Sequence, residues 1–429
     1  VDTSGGSGNG ITITTPSGAM ADTTFTDNFS SSITGADDGI FANNTGTGAL
    51  SITTTGIITG GSTEYGINAK TDGASGLTID VNDVVGGRGG VYGRNAGDGE
   101  LRVISTGHIE STDTDTGGRS ALRVRGFGDT SSGIDIDVHE VTGRNTQNNS
   151  HAVFAEQQGS GNIDITTSGQ ITNLGNWGIY AWINPNVDAQ NNTAETNILA
   201  QADIISLDGS GVKAQSKSAG NVTITTEGEI NAGYTGISAS GAYGAPNVTV
   251  TSEKTIYAGA YGIDVGLVDT TTGGEINITA NGIINQVGTD RENNYYSGIR
   301  AITNNANVTN IVASDIDAKE YGILAYGTGD TLTISVSGDI NSRNNEGIWA
   351  ADYSGSSGPI SISVDGDITA GDRGIYARSY GVGASDAVDP AGNSLEGVSL
   401  AINANNVTGG TDVFKTLNTG TGPLNISSI

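Results

Sequence analysis

The sequence predicts an all-β chain wound as a right-handed parallel β-helix, and three observations predict it. A phrase built on Gly-(Ile/Val)-x-Ala returns along the chain, as in GDITAGDRGIYARSYG at residues 366–381. Between its copies, aliphatic and polar residues alternate with period two. Glycine supplies 68 of the 429 residues and proline only 6, yet Ile and Val keep fixed stations that a flexible linker would lack.

Each repeat holds three short strands. The first is an alternating run such as LTIDV from Leu77, IDIDV from Ile134 or ISISV from Ile360. Its Ile, Leu and Val fall on one face and its Thr, Ser or Asp on the other. The second is a polar-aliphatic step, as in Gly228-Glu229-Ile230, Gly338-Asp339-Ile340 and Gly366-Asp367-Ile368. The third carries the repeated phrase, with its aliphatic residue at stations running from Ile40 and Ile67 through Ile348 and Ile375 to Val413. These stations number 14, lie 24 to 38 residues apart, and follow glycine in 11 cases. That glycine is expected to let the chain bend sharply, at a φ/ψ costly for other residues. Gly, Asn and Asp clusters between the strands supply the turns.

Stacking these strands on their copies predicts one domain over residues 1–429, a solenoid of about 14 coils with loop insertions and roughly 65 Å long at ~4.8 Å per strand. A two-sheet sandwich would need no constant repeat.

Composition narrows the function. A net charge of −28 repels phosphate backbones and anionic headgroups, which argues against nucleic acid and electrostatic membrane binding. No long apolar segment predicts a membrane span. Cysteine is absent, which excludes disulfides, thiolate zinc sites and thiol catalysis. A Cys-free chain also suits a protein that crosses an oxidising compartment unfolded.

The phrases GEINAGYTGISA, GDITAGDRGIYA, GDINSRNNEGIWA and SGQITNLGNWGIYA resemble the passenger domains of autotransporters, the type V secreted proteins of Gram-negative bacteria. The resemblance covers nearly the whole chain and implies export, outer-membrane display or release, and adhesion to or action on host cells. The family's signal peptide and C-terminal barrel are not seen, so the chain is expected to be a truncated passenger, opening at VDTSGG without Met.

A binding surface is expected where the third strand faces outward. The residue after the aliphatic is Phe41, Tyr92, Phe154, Tyr180, Trp349, Tyr376 or Phe414 at successive ringed stations, and Arg123, Lys213 and Arg300 share the same position. With neighbours such as Tyr65, Trp177, Trp182, Tyr261, Tyr321 and Tyr326, these windows hold 13 of the 23 aromatics in about a fifth of the length. Exposed rings interleaved with cations mark protein and glycan contact surfaces. Cross-strand stacking that merely stiffens the sheet explains the same column. The patch is richest at Trp177, Tyr180 and Trp182.

Insertions form a second candidate. The loops 111–120 and 143–150, with Arg119 and Arg144, sit on neighbouring coils and are expected to stack; loop 286–298 presents Arg291, Tyr295 and Tyr296. Segments 183–195 and 381–397 are further insertions, after the third strand. Asp315, Asp339 and Asp367 precede the second-strand aliphatic on three consecutive coils, a weak calcium candidate, since close carboxylates repel unless a cation or a raised pKa relieves them. Asp135 and Asp164 stack likewise, with Arg102 one coil earlier to compensate. No cofactor is called for.

Catalysis is not expected. The aspartate stack offers an acid and a base for glycoside cleavage, but no catalytic motif accompanies it. His108, His139 and His151 read as surface residues and form no assignable Ser-His-Asp set. The expected function is an extracellular adhesin binding a host cell-surface protein or glycan, or matrix. Alternatives are a soluble effector that engages one host receptor and signals, a self-associating passenger, or a polysaccharide-cleaving enzyme.

Overall fold

The computed structural model describes residues 7–28, 31–73, 75–114, 119–129, 132–146, 149–186, 189, 191–244, 246–268, 273–285, 296–352, 359–379, 400–418 and 424–428. The chain is all-β, a parallel β-solenoid with strands stacked coil on coil. No helix is long and apolar enough to cross a membrane among the described residues, which says nothing of a β-barrel. The chain divides into two compact units, Val1–Ala232 and Gly233–Ile429.

In the first unit one coil reads Leu77–Val81, Val84–Gly86 and Gly89–Asn95. Identical positions of successive coils pair in parallel: Leu50 with Leu77 and Leu77 with Leu101 in the first strand, Ile58 with Val84 in the second, Ile67 with Val91 in the third. Hydrogen bonds run along the stacking axis, as from Val91 N–H to Ala121 C=O at 2.9 Å. Burial follows the alternation. In Leu77–Val81 the three aliphatics are buried and Thr78 and Asp80 half-buried. Each fully buried Ile or Leu adds about 1.5–3 kcal/mol of hydrophobic stabilisation, so the aliphatic ladders set the register. On the coils at Leu101–Ser111 and Ile134–Gly143 the first and second strands run together, with a shift between Ser105 and His108.

Corners are closed from inside by asparagines. The Asn44 side chain donates to Gly48 C=O at 2.6 Å and accepts from Gly46 N–H at 2.9 Å, and Asn95 engages Gly97 and Gly99 in the same way. A buried polar side chain is retained here because its bonds to the turn are made.

In the second unit the third-strand stations are Ile237, Ile263, Ile299, Ile323, Ile348, Ile375 and Phe414. Ser297–Ala313 and Tyr321–Val336 each join a third strand to the next first strand without a break.

Two expectations need correction. The last station is Phe414, not Val413: Arg373 pairs with Asp412 and Ile375 with Phe414, which leaves Val413 at the place that glycine usually fills and 44% exposed. Ile11, paired with Ile40, is a further station that the repeat did not mark.

The third-strand glycines also serve a different purpose from the one expected. None of them has a positive φ. A Cβ on Gly66 would lie 2.4 Å from Val84 Cγ1 and 2.8 Å from Gly90 C=O; on Gly178 it would lie 2.8 Å from Ile204 Cγ2 and 2.6 Å from Gly211 C=O. The glycine makes room for the β-branched residue of the next second strand. Close approach, not backbone freedom, requires it.

Candidate functional site

The third strand turns outward the residue after the core aliphatic and, by alternation, the one two places further on, as with Tyr180 and Trp182. A second outward position stands two before the aliphatic, on the far side of the glycine. In the first unit these positions interlock. Tyr65 stacks on Tyr92 with centroids 5.3 Å apart, and Trp177 lies on His151 at 4.9 Å and 18°. Tyr180 meets His151 and Phe154 at 5.5 Å each and Trp182 at 6.4 Å.

Burial corrects the expectation that these rings stand exposed. Phe154 and Tyr180 are buried, at 6% and 8% exposure, because the rings two residues before the neighbouring aliphatics cover them. Tyr92, Trp177 and Trp182 are half-buried. Removal from water pushes the Tyr180 phenol up to about 12, with Glu156 adding to the effect; its O–H donates to Gln215 at 3.1 Å.

His151 is likewise no surface histidine, with 6% exposure. Its Nδ1 shares a hydrogen bond with Ser120 Oγ at 2.9 Å, and Nε2 is buried without a partner. Burial first, then the charges of Arg123 and Lys213, pulls its pKa down to about 3, so the ring is neutral at physiological pH. His139 is exposed and bonds Ser168, as a surface residue does. His108 is only half-buried, with Nε2 unpartnered.

Cations line this stack. Arg88 lies over Tyr65 at 5.5 Å, Lys70 over Tyr92 at 5.8 Å, Arg123 over Phe154 at 5.1 Å. Lys213 sits 4.8 Å from Trp177 and 5.0 Å from Tyr180, and Lys217 5.8 Å from Trp182. Arg94 and Arg125 flank Phe127, and each also holds a carboxylate: Arg94 with Asp72 at 3.2 Å, Arg125 with Glu156 at 2.7 Å. Arg123 differs. It is half-buried, no carboxylate of the described residues lies within ion-pair distance, and its Nε is buried without a hydrogen-bond partner. Burial, with Arg125 and Arg119 close by, lowers its pKa, and Tyr65 and Tyr92 oppose the shift. A guanidinium stays charged through such a shift, so this one has no anion of its own among the described residues.

The second unit resolves the same column otherwise. Arg300 is clamped by Asp264 through two bonds of 2.7 Å and lies 4.3 Å over Tyr261. Trp349 packs between Tyr321 and Tyr376 at 5.6 Å from each, with Nε1 buried and unpartnered. Tyr376 is half-buried, under Arg373 at 5.4 Å.

The loop candidates divide. Neighbouring loops do stack where described, through Arg144 N–H to Ser111 C=O at 3.3 Å and Thr146 to Thr114 at 3.4 Å. Arg144 is exposed and pairs with Glu110, while Arg119 is half-buried beside Arg123. Tyr296, expected to be exposed, is 7% exposed and packs on Tyr261 at 6.2 Å. Arg291, Tyr295 and segment 381–397 lie outside the described residues.

The aspartate stack has a local explanation. Asp315 accepts from Asp339 N–H at 2.9 Å, Asp339 from Asp367 N–H at 2.8 Å, and Asp367 from the Asn406 side chain at 2.8 Å. All three carboxylates are exposed, and each satisfies the next coil's turn, which offsets their repulsion without a cation. Asp339→Asn is therefore expected to unfold in urea like the wild type, while Asp339→Ala loses about 1 kcal/mol. Equal losses for Asn and Ala would instead assign the carboxylate charge to a bound cation. Asp135 pairs with Arg102 at 3.0 Å, the compensation expected of it.

What the sequence did not disclose is the second outward position. Its signal was the recurrence of a ring just before the glycine, in Tyr65-Gly66-Ile67, Trp177-Gly178-Ile179, Tyr261-Gly262-Ile263 and Tyr321-Gly322-Ile323.

No family model, curated protein or solved structure matches the chain.

Proposed function

We propose that this chain is a non-catalytic binding solenoid, an adhesin of the autotransporter-passenger kind acting outside the cell, and that it engages host cells or matrix through the third-strand face of its first unit. The observation that carries this reading is the concentration of rings and cations on that face in a chain of net charge −28. Lys70, Arg88, Arg94, Arg119, Arg123, Arg125, Lys213 and Lys217 make eight of the chain's 18 cationic residues. Rings held rigid by stacking lose little entropy on binding, and half-buried tryptophans beside cations have the composition of interface hot spots.

The test is saturable binding of the purified chain to human cells. A variant carrying Trp177→Ala, Trp182→Ala and Lys213→Ala is expected to bind at least about tenfold more weakly. Trp349→Ala, in the second unit where the cation is already neutralised, is expected to bind as the wild type does. Wild-type protein that fails to bind cells or matrix would sink the reading.

A further inference from the structure

Among the described residues, the Arg123 guanidinium is a charge without a counter-charge. It is half-buried, stacked on Phe154, and feels the charges of Arg125 and Arg119 and the phenols of Tyr65 and Tyr92. Two other arginines of this face do hold an acid: Arg94 holds Asp72 and Arg125 holds Glu156. One coil further, the His151 imidazole is 6% exposed and keeps Nε2 unpartnered, and one coil beyond that Trp182 Nε1 is buried without an acceptor. An uncompensated cation beside half-buried tryptophans in one strip calls for a ligand that brings anionic oxygens.

The strip also has a shape. Positions repeat once per coil along the stacking axis, at ~4.8 Å. Arg123 pairs with Phe154 and Phe154 with Tyr180, which puts Trp182 and Trp177 two steps from the guanidinium, about 10 Å away. Trp177 and Trp182 are half-buried, so each keeps part of its ring open to a ligand. A linear ligand with repeating flat, CH-rich rings and periodic acid groups fits such a track.

We propose that this face binds an acidic polysaccharide. Arg123 takes the carboxylate or sulfate of one sugar, and Trp177 and Trp182 stack against sugar rings farther along the chain. The proposal rests on the reading of this face as the partner-binding surface. The net charge of −28 does not prevent it. At physiological salt, charges beyond about 8 Å are screened, so the local cations govern the contact. Duplex nucleic acid, with a charge every ~1.7 Å, meets the remaining repulsion in full; a polysaccharide with one acid group per sugar or two meets far less.

The experiment uses the full chain and three fluorescein-labelled probes in anisotropy titrations: a sulfated heparin oligosaccharide, an oligogalacturonate bearing carboxylates only, and a neutral cello-oligosaccharide. At least one acidic probe is expected to bind, more weakly as salt rises, and the neutral probe is not. Preference between the first two tells sulfate from carboxylate. Arg123→Gln is expected to weaken acidic-probe binding at least about tenfold, the loss of a charge-assisted pair. Lys213→Gln, farther along the same track, serves as the second variant should Arg123→Gln lower the melting temperature. Absence of binding by both acidic probes, or unchanged binding by both variants, overturns the proposal. Cells treated with heparinase and sialidase separate its failure from that of the underlying reading. If wild-type protein still binds treated cells, the partner is not an acidic glycan although the binding face stands; if it never bound untreated cells, the host-binding reading itself falls.

Discussion

Gly262→Val is expected to unfold the coil that contains it. A Cβ at this position would lie 2.3 Å from Ile283 Cγ2 and 2.6 Å from Gly298 C=O, and neither can withdraw, because Ile283 is 1% exposed and the carbonyl belongs to the stacked backbone. Alanine already forces a displacement worth about 1–3 kcal/mol, and valine adds two methyl groups to the same contact. The chain itself carries alanine at this place twice, as Ala121 and Ala152, both fully buried, so the alanine variant is expected to fold. Urea unfolding of Gly262→Ala, Ile283→Ala and the double variant checks the cause. The double variant should lose less than the sum of the two, since trimming Ile283 vacates the space that the new methyl needs. Strict additivity would refute the steric account.

A second large effect is expected on acidification. With its pKa held near 3 in the fold against 6.5 in the unfolded chain, His151 binds a proton only after unfolding over that interval. Above pH 6.5 neither state is protonated, and the stability is complete. From there down to about pH 3 the unfolded state alone takes the proton, and stability falls by an amount on the order of a few kcal/mol before levelling. Asp38 and Asp135 act in the opposite sense, since burial raises both pKa values and their protonation on acidification favours the fold. The contrast between wild type and His151→Phe isolates the imidazole. Melting temperatures measured from about pH 7 to about pH 4 should fall more steeply for the wild type, and parallel curves would remove His151 as the cause.

The architecture was readable in the sequence because a parallel solenoid imposes one constraint per coil, and Ile67, Val91 and their counterparts meet it at nearly constant spacing. The outward column after each aliphatic was readable for the same reason. Burial on that column was not. Whether Tyr180 faces water depends on what stands beside it on the adjacent coil, and His151 and Trp177 occupy a position that alternation assigns to the core until the small residue that follows, Ala152 or Gly178, lets the chain reverse it. Nor could a repeat pattern foresee that Arg300 finds Asp264 while Arg123 finds no acid among the described residues, because ion pairing across coils is set by which residues fall 22 to 36 positions apart. Phe414 was misassigned by one place because Asp412-Val413 lacks the glycine that marks the frame elsewhere.

The fit between each third-strand glycine and the branched side chain of the following second strand bears on how such a chain can change its length. A stack of parallel strands joined only by backbone bonds could slide by a residue and pair again. Here a slip would drive a side chain into an isoleucine methyl, so the pairing is keyed like a ratchet, one tooth per coil. Insertions are absorbed in the loops between teeth, where spacing already varies. Lengthening the solenoid itself requires a complete tooth with its matching groove, and so proceeds by duplicating whole coils.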